Sequence, residues 1–267
     1  MKRDISRAAL ALTEGLFSHS VDMTLWVLAY MGEMSIQFGA SSQLWRAGIA
    51  ADRFLYEINY NVIKNAIITA KKRGLVRTTK RRAWPQITEE GKRRLFSIIP
   101  RYDGKRAWDG RMHIVTYDIP EEHRNDRHLL RDYLRRIGCG RLQDSVWITP
   151  YNPIDTIRAF IEEHGLLGSV IVSDMGQDGA IGEEDLPAMI VRIYGLKALN
   201  TRYEDFLEET AGKKLDQLSV VQYLSILKDD PQLPFSLLPE WWKGVEAYKR
   251  INSHIITLSK QILPVLK

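Results

Sequence analysis

The chain has 267 residues, of which 45% are hydrophobic and 27% charged, and its net charge is +5. This composition is typical of an ordinary folded protein and excludes a low-complexity or disordered chain. The length favours two or three compact units over one.

Cys139 is the single cysteine, which excludes an intrachain disulfide and a cysteine-rich metal site. His123 and His128 are five residues apart, a spacing that does not suit a metal pair on one helix face. We therefore expect no metal and no cofactor. No secretory signal is recognisable, and the longest apolar runs are too short to span a bilayer. We expect a cytoplasmic protein that does not bind membranes.

The basic residues are concentrated in the first half of the chain. Residues 60–111 contain 15 Lys or Arg and four Asp or Glu, a net charge of +11, so the remainder is acidic. Such asymmetry indicates a domain that approaches a polyphosphate. If only the charge is considered, the alternative is a basic surface that contacts solvent and binds no ligand.

A helix is predicted over residues 60–73, YNVIKNAIITAKKR, because its apolar residues recur at helical spacing. The other face carries asparagine and lysine, which can bond to adenine edges and to guanine edges or phosphates in the major groove. Ile68 lies at the border of the two faces. It could touch a thymine methyl group or belong to the core.

The segment after this helix resembles a wing. Gly74 stops the helix, and LVRTTKRRAWPQI reads as two short strands around a basic tip. Thr88 then caps a further helix with acidic residues in its first turn. Upstream, the stretches VDMTLWVLAYMGEM and SSQLWRAGIAADRFL predict two more helices. Together these elements predict a winged helix-turn-helix, with a helical bundle carrying an inert basic hairpin as the alternative.

The candidate DNA contacts combine the polar face of the helix with the basic residues of its end and of the wing. They are Asn61, Lys64, Asn65, Lys71, Lys72, Arg73, Arg77, Lys80, Arg81 and Arg82.

The middle of the chain alternates strands and helices. HIVTYDI reads as a buried strand, residues 121–138 as an amphipathic helix, GRLQDSVWITP as a second strand region, residues 152–165 as a helix and LLGSVIVSD as a strand. A ferredoxin-like βαββαβ unit is the simplest arrangement. The stretch from Met175 to Pro187 reads as a loop.

The rest of the chain reads as helices interrupted by DDPQLPFSLLPEWWKG, whose prolines exclude a continuous helix. Trp241 and Trp242 are predicted anchors there. The last helix carries an apolar seam that includes Ile251 and Ile255. The seam belongs either to the intrachain core or to a dimer contact.

Three stretches of the sequence resemble the PaaX family, the phenylacetic acid degradation repressors. The resemblance rests on the winged-helix pattern, on YDIPEEHRNDRHLLRDYLRRIGCGRLQDSVWITP, and on DPQLPFSLLPEWWKG with the preceding YGLKALNTRYEDFLEE. The chain departs from the family pattern at VIKNAIITAKKRG, which replaces an arginine-containing stretch.

The resemblance implies an α+β multidomain fold and a homodimeric repressor of transcription that binds double-stranded DNA. Its three domains are a winged helix-turn-helix (1–108), a ferredoxin-like central domain (109–180) and a helical C-terminal domain (181–267). Family members release their operator on binding an aromatic acyl-CoA such as phenylacetyl-CoA. The resemblance implies no enzymatic activity, and no residue can be assigned to the effector.

The central segment also resembles small CRISPR-associated nucleases of the spacer-acquisition machinery. Asp118 ends a strand and Ser145 begins a serine-valine strand, as in those proteins. The alternative function is therefore a metal-dependent nuclease or CRISPR-associated accessory protein in which two Asp118 carboxylates across a dimer bind Mg²⁺ and activate water. A further alternative is a non-catalytic protein that binds RNA or acts as a scaffold.

Overall fold

The computed structural model describes residues 22, 25, 60–77, 85–175, 185–215 and 217–262. The chain divides into two compact units. Unit 1 comprises Met1–Arg101, Tyr203–Lys228 and Val245–Lys267, and unit 2 comprises Tyr102–Arg202 and Asp229–Gly244. The three-domain division with boundaries after residues 108 and 180 remains a prediction.

Helices account for most of the described part of unit 1, together with one short hairpin. The basic region contains α1 (Tyr60–Lys72), β1 (Val76–Arg77), β2 (Gln86–Ile87) and α2 (Glu89–Ile98). Strands β1 and β2 pair antiparallel. The two helices predicted upstream of residue 60 lie outside the described residues, apart from Asp22 and Leu25, which are both helical.

Later in the chain the described helices are α5 (Leu186–Ile193), α6 (Leu196–Thr210), α7 (Gln217–Asp229) and α8 (Gly244–Ile262). Tyr203 and Phe206 of α6 pack around Tyr223 of α7, with ring centroids 6.2 and 5.7 Å from that of Tyr223. Ile251 of α8 is fully buried and Ile255 half-buried, so the predicted seam packs in part against the chain's own core.

Unit 2 is built around a four-stranded antiparallel sheet. Its elements are β3 (His113–Asp118), α3 (Arg124–Arg136, after a 3-10 turn over Glu121–His123), β4 (Gly140–Gln143), β5 (Val146–Thr149), α4 (Ile154–His164) and β6 (Ser169–Asp174). The spatial order is β4-β5-β3-β6, and neighbouring strands run antiparallel. The chain is therefore a mixed α+β protein with a central sheet, and its βαββαβ order is the one that a ferredoxin-like unit requires.

Side-chain alternation explains why the helices cover one face of this sheet. Val115 and Tyr117 of β3 are buried, whereas the alternate residues Ile114 and Thr116 are only half-buried. The buried face packs against α3 and α4, since successive strand residues point to opposite faces. The core of unit 2 consists of Val115, Tyr117, Ile119, Leu130, Leu134, Cys139, Trp147, Ile157 and Phe160.

The predicted strand region GRLQDSVWITP consists of two strands, β4 and β5, joined by Asp144 and Ser145. The predicted βαββαβ order requires two consecutive strands in this region, and the structure has them. The turn is held from outside, since the Tyr117 hydroxyl donates to the Asp144 carbonyl at 2.8 Å. Arg131 Nε donates to the same hydroxyl at 2.9 Å. A pair of adjacent antiparallel strands is thereby fixed at the sheet edge.

The segment predicted as a loop ends earlier than Pro187. Asp185 caps α5 by accepting from Ala188 N at 2.8 Å, and Pro187 lies in the first turn of the helix. Proline is tolerated there because the first-turn N–H groups have no intrahelical acceptor. Just after α5, the Tyr194 hydroxyl donates to the Ile148 carbonyl at 2.9 Å, which fastens this segment to β5.

A buried arginine joins two distant segments of unit 2. Arg106 Nε donates to the Asp103 carbonyl at 2.9 Å, and Nη1 donates to the Leu233 carbonyl at 3.1 Å. The guanidinium lies 4.8 Å from the ring centroid of Tyr102 and 4.7 Å from that of Phe235. The DPQLPF stretch is therefore attached to the beginning of the central domain.

The two predicted tryptophan anchors differ. Trp242 is buried, but Trp241 is exposed. The prediction was wrong for Trp241, because size and hydrophobicity do not show which of two adjacent side chains points inward.

Candidate nucleic-acid interface

Helix α1 is the core of the candidate interface. Ala66 and Ala70, one turn apart, are buried and hold the helix against unit 1. Asn65 is exposed, and Ile68 retains 47% of its accessible surface. The predicted inner and outer faces are therefore correct for these residues, and Ile68 belongs to the outer face.

The end of α1 carries a run of exposed cations. Lys71 and Lys72 form the last turn, Arg73 follows it, and all three side chains are exposed. Arg77, on strand β1 of the hairpin, is also exposed. No acid lies in α1, so the positive charge at this end is not offset within the helix. An anionic ligand would meet several cations here at once.

A Schellman motif turns the chain from α1 into the hairpin. Gly74 adopts a φ of +72°, and its N–H donates to the Lys71 carbonyl at 3.1 Å. The N–H of Leu75 donates to the Ala70 carbonyl at 2.9 Å, and the Leu75 side chain is buried. Glycine suits this position because L side chains rarely adopt a positive φ. The motif fixes the direction in which the hairpin leaves the helix.

Thr88 ties the next helix to the same turn. Its hydroxyl donates to the Gly74 carbonyl at 2.8 Å and accepts from Gly91 N at 3.1 Å, which confirms the predicted cap of α2. A Cβ on Gly91 would lie 2.2 Å from the Leu75 carbonyl oxygen, so α2 approaches the turn more closely than any side chain would allow. Helix α1, the hairpin and α2 are thus locked together around Gly74 and Leu75.

An ion pair anchors α2 to an earlier helical residue. Arg94 Nε donates to Asp22 Oδ1 at 2.5 Å, and Nη2 donates to Oδ2 at 3.0 Å. Asp22 is buried with only 3% exposure. The hydrogen bond to Asp22 raises the pKa of Arg94 above its ordinary value. A two-point contact of this kind is geometrically specific, and it attaches α2 to Asp22.

Five of the ten predicted DNA contacts have exposed side chains on α1, just after its end or on β1. They are Asn65, Lys71, Lys72, Arg73 and Arg77. The backbones of residues 61 and 64 lie in α1, but the side chains of Asn61 and Lys64 lie outside the described part of the structure, as do Lys80, Arg81 and Arg82. All ten assignments to DNA remain predictions.

The alternative nuclease site at Asp118 consists of one acidic side chain. Asp118 is exposed at the end of β3, opposite Ser169 of β6, and Ser145 is exposed in the β4–β5 turn. Among the described residues, no group of three or more His, Cys, Asp or Glu side chains could hold a metal ion. One carboxylate from this chain would have to be completed by ligands from elsewhere.

Unit 2 also has an open cavity of about 310 Å³ at the start of α4. Arg111 Nη1 pairs with Asp174 Oδ2 at 3.0 Å, and buried His113 Nε2 lies 3.7 Å from Asp109 Oδ2. The lining is mainly polar, whereas sites for drug-sized ligands are mostly apolar. It does not resemble an enclosure for an aromatic acyl group, and no effector site is assigned.

Comparison with known proteins identifies the central part of the chain. Residues 105–186 match the family model described as the PaaX protein central Cas2-like domain. The chain carries a PaaX central domain. The match covers unit 2 from just before β3 to the first residue of α5 and confirms the resemblance to the PaaX family. No curated protein matches the chain.

A solved structure, that of the uncharacterized protein Rv0674 from Mycobacterium tuberculosis, is similar at 16% identity with a TM-score of 0.47. The similarity covers 77% of this chain and 84% of that one.

The PaaX match favours a role in the regulation of transcription. Within the described ranges, none of the helices has both the length and the hydrophobicity needed to cross a membrane.

Proposed function

We propose that the protein is a PaaX-like transcriptional repressor that binds double-stranded DNA through α1 and the adjoining hairpin. The observation that carries this proposal is the outer face of α1, where an exposed amide, an exposed aliphatic side chain and exposed lysines lie on one helix. A helix that presents such groups next to a hairpin has the form of a winged-helix reading head.

Phosphate contacts supply most of the affinity in this proposal. Lys71, Lys72, Arg73 and Arg77 reach the DNA backbone, and the wing residues Lys80, Arg81 and Arg82 extend the same contact. Each phosphate neutralised releases condensed counterions, which lowers the slope of log affinity against log salt concentration by about 0.9. Such contacts set the register on the duplex but do not read its sequence.

Base contacts come from the exposed amide of Asn65, together with the adjacent Lys64 and with Asn61 one turn earlier. An asparagine amide can donate to N7 and accept from N6 of adenine in the pattern that distinguishes adenine in the major groove. The side chain is exposed on the same face as the lysines, so phosphate and base contacts can form together. Asn65 is therefore assigned to sequence discrimination.

The wider architecture in this proposal follows the three domains predicted from the sequence. The βαββαβ order of unit 2 supports a ferredoxin-like middle domain between the winged helix and the helical C-terminal domain. The protein acts as a cytoplasmic homodimer, so that two reading heads engage two half-sites. A small effector, an acyl-CoA, relieves repression by binding the DNA-free arrangement more tightly than the DNA-bound one.

Selection from a randomised duplex pool tests DNA binding by the full chain. We expect enrichment of two half-sites whose centres are separated by about 10 base pairs or a multiple of that distance. A pool that emerges without enrichment, or a preference for single-stranded RNA at matched salt, would contradict the proposal. Titrating phenylacetyl-CoA into the selected complex tests the effector alone, since unchanged affinity would reject this effector and leave DNA binding intact.

A further inference from the structure

Ile68 has an unusual setting for an exposed apolar residue. It lies on α1 three residues after the exposed Asn65 and four before the exposed Lys72, with 47% of its own surface accessible. Ala66 and Ala70 face the opposite way and are buried. A single exposed isoleucine needs no explanation in general. This one sits in the middle of the polar, cationic face that the proposed function assigns to DNA.

Helix stability does not account for isoleucine at this position. A β-branched side chain has a lower helix propensity than Lys, Gln or Ala, because its rotamers are restricted against the preceding turn. With half of its surface exposed, Ile68 gains only part of the stabilisation that full burial would bring. The aliphatic side chain of Ile68, on the outer face of α1, can pack against an apolar group of a bound ligand.

The major groove offers one such group at the base edges, the 5-methyl group of thymine. We propose that Ile68 contacts a thymine methyl group and thereby determines part of the sequence specificity. This inference rests on the proposed DNA binding. The charge of the surrounding face favours DNA as the ligand. Lys71, Lys72 and Arg73 provide the attraction to phosphate that an apolar contact lacks.

Helix geometry gives the position of this thymine relative to the base read by Asn65. Three residues along an α-helix correspond to a rise of about 4.5 Å, and successive base pairs are about 3.4 Å apart. The adenine contacted by Asn65 and the thymine contacted by Ile68 therefore lie within one or two base pairs of each other. The selected half-site should contain such an adenine and thymine.

The test removes the methyl group from the DNA and the side chain from the protein. In the selected duplex, each thymine is replaced in turn by deoxyuridine, which retains the base pair and loses only the methyl group. We expect the wild-type protein to lose about fourfold in affinity at one thymine of each half-site, the effect of burying about one methyl group. The Ile68→Ala variant should bind the deoxyuridine and thymine duplexes within about 1.5-fold of each other.

Ile256→Ala is the matched control, because Ile256 lies on α8 and is 46% exposed. This variant should retain the fourfold sensitivity of the wild type. Ile68→Gln keeps a long side chain on a helix and should also lose the sensitivity, which guards against an effect of alanine on folding. Circular dichroism of each variant verifies that the helices are retained.

The outcomes separate this inference from the proposed function. A wild-type chain that binds no duplex in the selection contradicts DNA binding itself. If the wild type binds a selected site but deoxyuridine has no effect at any thymine, DNA binding stands and the methyl contact is wrong. The same holds if Ile68→Ala shows the wild-type sensitivity.

Discussion

The hydroxyl of Thr88 donates to the carbonyl of Gly74, 2.8 Å away and fourteen residues earlier in the chain. The same hydroxyl caps α2 by accepting from Gly91 N. One small side chain therefore fixes both the end of α1 and the beginning of α2. The position of the candidate reading helix relative to the hairpin depends on this contact.

Thr88→Ala should lower the free energy of unfolding by about 1–2 kcal/mol, because the substitution removes an N-cap and leaves the Gly74 carbonyl without this donor. Thr88→Ser keeps the hydroxyl and should lose much less. Urea denaturation of both variants, followed by circular dichroism, provides the measurement. Equal stability of Thr88→Ala and the wild type would show that the hydroxyl does not hold the turn.

Arg106→Met should destabilise unit 2 by about 3 kcal/mol. The guanidinium, 4.0 Å from the buried Asp230 carboxylate, is itself buried and bonds to two carbonyl groups, so its loss leaves these acceptors without their cation. Arg158→Met is the control, because its pair with Asp155 is exposed and should contribute at most about 0.5 kcal/mol. If the two substitutions cost the same in chemical denaturation, the Arg106 cluster does not hold the two segments together.

Cys139 should resist alkylation in the folded protein. Burial raises the pKa of its thiol from 9.0 to about 12, so near pH 8 the thiolate fraction is about a thousandfold smaller than in the unfolded chain. Labelling with iodoacetamide, read by mass spectrometry with and without urea, measures this difference. Because the unfolded chain loses the proton first, this group also lowers folding stability progressively as the pH rises above 9.0.

The result that would contradict the burial of Cys139 is rapid labelling of the native protein at pH 8. The chain has one cysteine, so the labelled mass reports on this site alone.

Asp118→Asn should leave nucleic-acid cleavage unchanged at the background level in the presence of Mg²⁺. Among the described residues, no group of three acidic, cysteine or histidine ligands forms at Asp118, and a single carboxylate at the end of a strand is more often a hydrogen-bonding or helix-capping group than a metal ligand. Asp155→Asn makes the same change at another exposed carboxylate. Cleavage by the wild type that is lost in Asp118→Asn and retained in Asp155→Asn would support the nuclease alternative.

Periodicity and capping residues predicted the local elements well. The apolar run HIVTYDI predicted a buried strand, and the structure has β3 over His113–Asp118. Thr88 before two glutamates predicted the start of α2. These features depend on neighbouring residues, so the sequence contains what is needed to recognise them.

Other features depend on contacts between distant residues and could not be predicted. The link between Arg106 and Leu233 spans 127 residues, and no local pattern marks it. Ile68 lies at the border of two helix faces, where periodicity alone did not decide between core and surface. Its exposure became clear only from the packing of Ala66 and Ala70 on the other side.

The most direct test of the account is the salt dependence of DNA binding by Lys71→Gln/Lys72→Gln. The control is Lys213→Gln/Lys214→Gln, which removes two charges from another exposed pair. If each α1 lysine neutralises one phosphate, the slope of log affinity against log salt should become less steep by about 1.8 for the α1 variant and stay unchanged for the control. An α1 variant with the affinity and salt slope of the wild type would contradict DNA binding through this helix.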